Sequence, residues 1–354
     1  MKWTLLPAAD FPAHAQRWQQ LNSETVNSPL LHSDFVQPLL AEFCGGSELL
    51  AICEDGGQVQ AMAIIMPRRR GMWETFQPSQ QPTTLWLQRP QLNRPMLLAG
   101  LTRALPGLPL GLGLTQCDPD MFPRPADTAL LRSLDYVQTS RITLGDSFEQ
   151  YWASRGKNLR SNMKKQRSRL QKDGIAARLQ ISRAPEDIAQ AIHDYGLLES
   201  AGWKAQQGTA IHPDNDQGRF YRAMLERFCQ RGAGSVYRYW FDDRLVAMNM
   251  CIEGADSMVI LKTTYDEQLS SHYSPAFLML EETCQHLFEQ RRYARVEFYG
   301  KVMEWHLRWT DEVRTMYHTN SYRWPALQQL HTLMNHWARQ QPAVPSPQPA
   351  PSTE

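Results

Sequence analysis

The segment Tyr265-Asp-Glu-Gln-Leu-Ser-Ser-His-Tyr-Ser-Pro-Ala-Phe277 joins a predicted strand to a predicted helix, and its end has residue types suited to holding an anion. Ser274 fits the cap of a helix, and Pro275 fits the first turn, where a missing N–H costs nothing. Such a start is either a cap alone or an offer of free N–H groups and helix dipole to a pyrophosphate. A second candidate is Lys157–Lys172, with seven basic residues and no acid. In a helix, Leu159, Met163 and Leu170 share one face, and Arg160, Lys164 and Arg167 share an adjacent one. That basic face is a solvated surface or an anion site, because seven like charges repel one another without a counter-charge. The stretch Glu199–Ile211 adds Trp203 followed by Lys204. The indole there would stack on a flat ligand or plug a gap between lobes.

Other chemistries lack their residues. Gly107–Gly113 is interleaved with leucine and opens no convincing helix, so it is no dinucleotide fingerprint. No P-loop, GxSxG elbow or HExxH occurs. The ten histidines are dispersed, so no metal is expected. Six cysteines stand singly and read as reduced, mostly buried thiols. A net charge of +1 over 354 residues gives no global pull toward nucleic acid or an anionic membrane. The N-terminus lacks the apolar core of a signal peptide, and runs such as Ala61–Pro67 fall far short of a membrane span. The expectation is a soluble, cytoplasmic protein.

The elements that would position these residues come from periodicity. Phe220, Tyr221, Met224, Leu225 and Phe228 form a helical stripe ending near Gly232. Ser235–Phe241, Leu245–Glu253 and Met258–Tyr265 read as three strands with turns at Asp242-Asp243 and Gly254-Ala-Asp. Phe277, Leu280, Cys284, Leu287 and Phe288 mark another helix, and Arg295–Tyr299 a further strand. Within that strand Glu297 and Tyr299 share a face. Nearer the start, Leu49–Glu54, a turn at Asp55-Gly56-Gly57 and Val59–Met66 echo the later hairpin, both second strands carrying an Ala-Met pair. The echo suggests a duplicated domain, and the length suits two domains of about 150–180 residues. The boundaries read as 1–145 and 146–340, the second closed by an amphipathic helix through Leu327, Leu330, Met334 and Trp337. Residues 341–354, proline-rich and without large side chains, read as a disordered tail.

From about Ser147 to Trp309 the chain resembles the FemAB-related GNAT acetyltransferases, including the CelD-like cellulose and exopolysaccharide biosynthesis proteins. Four features carry the likeness in order: the Lys157–Leu170 helix, Gly202-Trp-Lys with Gly208-Thr-Ala-Ile, Tyr265-Asp-Glu with Tyr273-Ser-Pro, and Phe298-Tyr-Gly300 with an aromatic-basic pair. The sequence departs twice, with Ala276 where the family has glycine and Trp305-His306 where it has Tyr-Lys.

The resemblance implies an α/β fold of the α+β type: tandem GNAT-like lobes, each a mixed, mainly antiparallel sheet flanked by helices. It implies an acyltransferase taking an acyl group, acetyl above all, from coenzyme A to an amine or hydroxyl acceptor. A sugar or an envelope or exopolysaccharide precursor is the acceptor class, with the polysaccharide machinery a possible partner and no nucleic acid. Lys262, Thr263 and Tyr265 on a splayed strand would meet the pantetheine, and Ser274, Pro275, Ala276 and Phe277 the pyrophosphate. Arg160, Lys164, Arg167, Trp203 and Lys204 would face the acceptor. Glu297 or His306 is the candidate base and Tyr299 the candidate acid. The competing readings are an aminoacyl-tRNA-dependent ligase of the same fold and a non-catalytic binding module.

Overall fold

Burial of period-two and period-3.6 apolar faces produces two copies of one unit. The computed structural model describes residues 1–201, 211–269 and 273–330. The first copy runs β1 (Lys2–Pro7), α1 (Phe11–Glu24), α2 (Ser33–Phe43), β2 (Leu49–Asp55), β3 (Gln58–Pro67), β4 (Met72–Thr75), β5 (Trp86–Gln88), α3 (Arg94–Ala104), β6 (Gly111–Cys117) and β7 (Leu131–Thr143). After α4 (Phe148–Ser154) and α5 (Lys157–Lys172) comes the second copy. It comprises β8 (Ala177–Ser182), α6 (Ile188–Ser200), α7 (Asp216–Gln230), β9 (Gly234–Phe241), β10 (Arg244–Glu253), β11 (Ser257–Tyr265), α8 (Pro275–Gln290), β12 (Arg295–Phe298), α9 (His306–Trp309) and β13 (Val313–Tyr322). Each copy is a strand, two helices, an antiparallel meander, a helix and a parallel strand. The hairpins of the sequence echo are β2–β3 and β9–β10. The turn between β2 and β3 uses Gly56 and Gly57, both at positive φ, which glycine adopts without strain.

The two sheets are one. The strand order is β1-β2-β3-β4-β6-β13-β7-β12-β11-β10-β9-β8, with β5 beside β3. In each copy the last strand has changed hands. β7 follows β6 in the chain but pairs with β12, and β13 follows β12 but pairs with β6. The exchanged strands then pair with each other from Val313↔Ser140 to Ser321↔Leu131. The expected division at 145/146 therefore falls in a linker, while backbone hydrogen bonds tie the halves together on both sides of it.

Two apolar clusters cover the faces. One holds the first copy's core and extends through Tyr195, Phe220, Phe228 and Val259; the other holds Leu159, Met163, Ile260, Leu278, Phe298 and Trp309. Met258 and Ile260 lie on the second, Val259 on the first, as strand alternation requires. Leu159, Met163 and Leu170 of α5 are all buried. The segments 331–340 and 341–354, including Met334, Trp337 and the proline-rich tail, lie outside the described residues.

Gly111 sits where β6 touches both β4 and β13. A Cβ there would lie 2.6 Å from the Ser321 carbonyl oxygen and 2.8 Å from Met72 Cε. Gly111→Val should therefore cost about 1–3 kcal/mol, read in a calorimetric scan as a drop of about 2–4 °C for each kcal/mol. Because the exchanged strands fuse the sheets, the melt should remain one transition. A separate, unshifted second transition would contradict the fused sheet.

Candidate functional site

The site begins with a break in pairing. β11 runs parallel to β12 only from Ser257↔Arg295 to Ile260↔Phe298; beyond Ile260 it pairs with β10 alone. Met250 faces Lys262 while Cys251 faces Ile260, so Leu261 is an extra residue in β11. This bulge resets the alternation. In a regular strand Ile260 and Thr263 would point to opposite faces, but here Ile260, Thr263 and Tyr265 all line one cavity of about 430 Å³. Lys262 turns the other way, its Nζ 3.6 Å from Glu199 Oε1 and 5.8 Å from the Tyr221 ring centroid.

The same cavity is lined by Ser274, Pro275, Ala276 and Phe277 at the start of α8, and by Asn162, Asn249, Leu280, Phe298, Trp305 and Arg308. Ser274 occupies the cap position and Pro275 the first turn, but the Ser274 side chain makes no capping hydrogen bond. The helix therefore presents its N-terminus without a serine cap, a place where negative charge is stabilised. An unpaired strand edge, an uncapped helix start and an aromatic wall suit an extended ligand with an anionic end.

The family model described as "Acetyltransferase (GNAT) domain" matches residues 157–307. Residues 157–307 are thus similar to a GNAT-type acetyltransferase domain. The fold is also similar to the C-terminal domain of a protein described as a lysylphosphatidylglycerol synthetase from Agrobacterium fabrum, with a TM-score of 0.56 and 14% identity over 92% of this chain and 96% of that one. The crystal structure of FemX gives a TM-score of 0.55 at 7% identity, covering 94% and 100% of the two chains. A conserved protein of unknown function from Bacteroides thetaiotaomicron gives 0.55 at 10% identity, covering 90% and 99%. At these identities the likeness is one of fold. No curated protein sequence matches the chain.

The expected site residues divide. Thr263, Tyr265 and Ser274–Phe277 meet in the cavity, and Lys262 does not. On α5 it is Asn162 that reaches the cavity. Arg160 and Lys164 each stand two residues from it, about half a turn around the helix, so their face points elsewhere. Arg160 Nε donates to the Arg155 carbonyl at 3.0 Å. Arg167 is held by Glu281 and Glu282 of α8, with Nε–Oε2 and Nη1–Oε1 distances of 3.0 Å. Part of the counter-charge that the basic helix calls for thus comes from the protein itself. Trp203 and Lys204 lie outside the described residues.

Glu297 and Tyr299 share a face, and it is the opposite one. They line a second cavity of about 540 Å³ with Val259, Asp118, Asp120, Arg94 and residues of the first copy. Glu297 is caught between Arg295 Nε at 2.9 Å and Arg314 Nη2 at 2.8 Å. Burial raises its pKa, and Arg314 works against that rise. Arg314 also grips Asp118 with two hydrogen bonds of 2.9 and 2.8 Å, and the Tyr299 hydroxyl donates to Asp118 Oδ2 at 2.8 Å. Burial opposes the Asp118 charge, yet the Arg314 contacts outweigh it and hold the pKa down. Burial and the Asp118 charge push the Tyr299 hydroxyl well above its usual range. This buried ionic cluster joins β6, β12 and β13. The sequence reading missed Asp118, Arg314, Asn162, Asn249 and Arg308 as lining or anchoring groups; as single polar residues separated in sequence, they carried no spacing signal.

His306 lines neither cavity. It is stacked on Trp305, with ring centroids 3.5 Å apart, and its Nδ1 accepts the Met303 N–H at 3.0 Å. Burial lowers its pKa from 6.5 to about 4. The unfolded chain therefore takes up the proton first as the pH falls, so stability is lost from about pH 6.5 downward and the loss is complete near pH 4. At pH 5 the difference amounts to about 2 kcal/mol. In urea titrations, the loss of stability between pH 7 and pH 5 should be smaller by about that amount in His306→Gln than in the parent. Equal losses would contradict the buried, neutral imidazole.

Proposed function

We propose that the protein is an acyl-CoA-dependent acyltransferase, with the donor lying along β11 and its diphosphate at the start of α8. The observation carrying this reading is the cavity that links the unpaired edge of β11 to the uncapped N-terminus of α8. Backbone groups on a strand edge need partners, and a pantetheine arm offers amides to them. The thioester would then sit where β11 and β12 part, with backbone N–H groups at the Leu261 bulge available to its oxyanion.

The acceptor, an amine or hydroxyl, approaches from the face of the second cavity. A sugar-containing envelope precursor is the class that the CelD-like resemblance implies. Its nitrogen or oxygen bonds to the acyl carbon as the C–S bond breaks; the acceptor's proton leaves to water, and the thiolate takes one from an acid. That acid is water rather than the expected Tyr299, whose hydroxyl donates to Asp118 and is pushed well above its usual range. Glu297, with each carboxylate oxygen within 3 Å of a guanidinium, is assigned to anchoring Arg295 and Arg314. An aminoacyl-tRNA-dependent ligase is the reading that an absence of CoA binding would favour. Against it, residues 174–201 hold only β8, one short helical turn and α6, with no long helical arm among these described residues.

Replacing Pro275 and Ala276 together by Asp sets negative charge beside the proposed diphosphate. Calorimetric titration with coenzyme A should show affinity falling more than tenfold, at least about 1.4 kcal/mol. Unchanged affinity in the folded variant would remove the donor from this helix start.

Glu297→Gln separates anchoring from base catalysis. With acetyl-CoA and a panel of amine acceptors, thiol release by the variant should stay within about threefold of the parent, while its melting temperature falls. A loss of 10²-fold or more, the usual scale for a missing general base, would return Glu297 to the chemistry.

A further inference from the structure

We infer that Asn249, oriented by Thr263, recognises an amide carbonyl in the arm of the donor and so selects a pantetheine-bearing donor; the inference rests on the acyl-CoA reading above. The wall and floor of the donor cavity are apolar at Ile260, Phe277, Leu280, Phe298 and Trp305. Asn249 lines the same cavity and is only 2% exposed. Its neighbours on the same face of β10, Ala247 and Cys251, are ordinary members of the second apolar cluster. An amide between them is out of place as core, because a buried polar group costs stability unless it is paired.

Half of that amide is paired. Asn249 Oδ1 accepts a hydrogen bond from Thr263 Oγ1 at 2.7 Å. No described residue accepts from Nδ2, and the surface left to this side chain opens into the cavity it lines. The Leu261 bulge makes the pairing possible, because without it Thr263 would face Lys262's side of the sheet.

The position decides what the amide meets. Asn249 lies opposite Thr263, roughly 10 Å along β11 from the last parallel pair. A donor with its thioester at that pair and its diphosphate at α8 passes Asn249 with the middle of its arm, which in coenzyme A is built of amides. An adenosine ester carrying an amino acid has no amide-bearing arm to offer there. A buried N–H donor in the apolar stretch between Ile260 and Leu280 discriminates between ligands that satisfy it and ligands that leave it bare.

The test compares coenzyme A with adenosine 3′,5′-bisphosphate, the part of it that lacks the arm, by calorimetric titration. Asn249→Leu should weaken coenzyme A by about five- to tenfold and leave the bisphosphate unchanged. Thr263→Val, at an exposed strand position, should weaken coenzyme A by about two- to threefold and keeps the test alive if the leucine variant does not fold. Unaltered coenzyme A affinity in the folded variants would overturn the role of Asn249 while leaving the donor site in place. Equal loss for both ligands would overturn it too, since the effect would not lie on the arm. Failure of the parent protein to bind coenzyme A would instead overturn the reading beneath.

Discussion

Past Ile260 one edge of β11 has no strand beside it among the described residues, and most of the site follows from that. Peptide groups cannot be left dry and unpaired, so an open strand edge is met by the chain, by water or by a ligand. The two copies in this protein differ at this edge. In the first copy the strand equivalent to β11 is broken into β4 and β5, which continue along the same edge of β3. The space beside it is filled by the protein: Trp86 is fully buried, its Nε1 donates to Gln88 Oε1, and Gln88 Nε2 donates to the Leu92 carbonyl. The following helix, α3, is capped by its own Asn93, which accepts from the Met96 N–H. In the second copy the strand is continuous, the helix start has no side-chain cap, and a cavity runs between them.

Reciprocal exchange of β7 and β13 explains why such unequal copies stay together. Each copy lends its final strand to the other, so neither sheet is complete alone. The exchange also brings Asp118, Arg314, Glu297 and Tyr299 together beneath the second cavity. Buried charges of this kind are tolerated only when mutually paired and hydrogen-bonded, and removing one partner strands the others. The cluster is therefore a lock between halves as well as a wall of the second cavity.

The elements that could be read from the sequence were those with local, regular signals. The α7 stripe, the β9–β10–β11 meander, the Ser274-Pro275 helix start and the early hairpin are set by periodicity and turn chemistry within a few residues of themselves. The facing of individual side chains was a different matter. Alternation correctly puts Glu297 with Tyr299, but only tertiary packing decides which face of the sheet they take. One extra residue, Leu261, turns Lys262 away from the cavity while leaving Thr263 and Tyr265 in it. Helical geometry grouped Arg160, Lys164 and Arg167, yet α5 docks so that Asn162 reaches the cavity and Arg167 is spent on Glu281 and Glu282. The strand exchange, with pairs separated by more than 180 residues at Ser321↔Leu131, left no local trace.

A duplicated unit with unequal copies has a mechanical consequence for the sheet that joins them. The inner strands here are pinned on both sides: β10 between β9 and β11, and β12 between β11 and β7. Of the strands around the cavity, only the outer half of β11 depends on β10 alone. Trp86 belongs to the first copy's continuous core, and β7 joins that copy directly to β12. The strand that bears Phe298 on one face and Glu297 on the other is thus paired on both edges, by β11 and by the first copy's β7. Among the described residues, pairing is continuous where the sheets fuse and stops on one edge of β11 beyond Ile260.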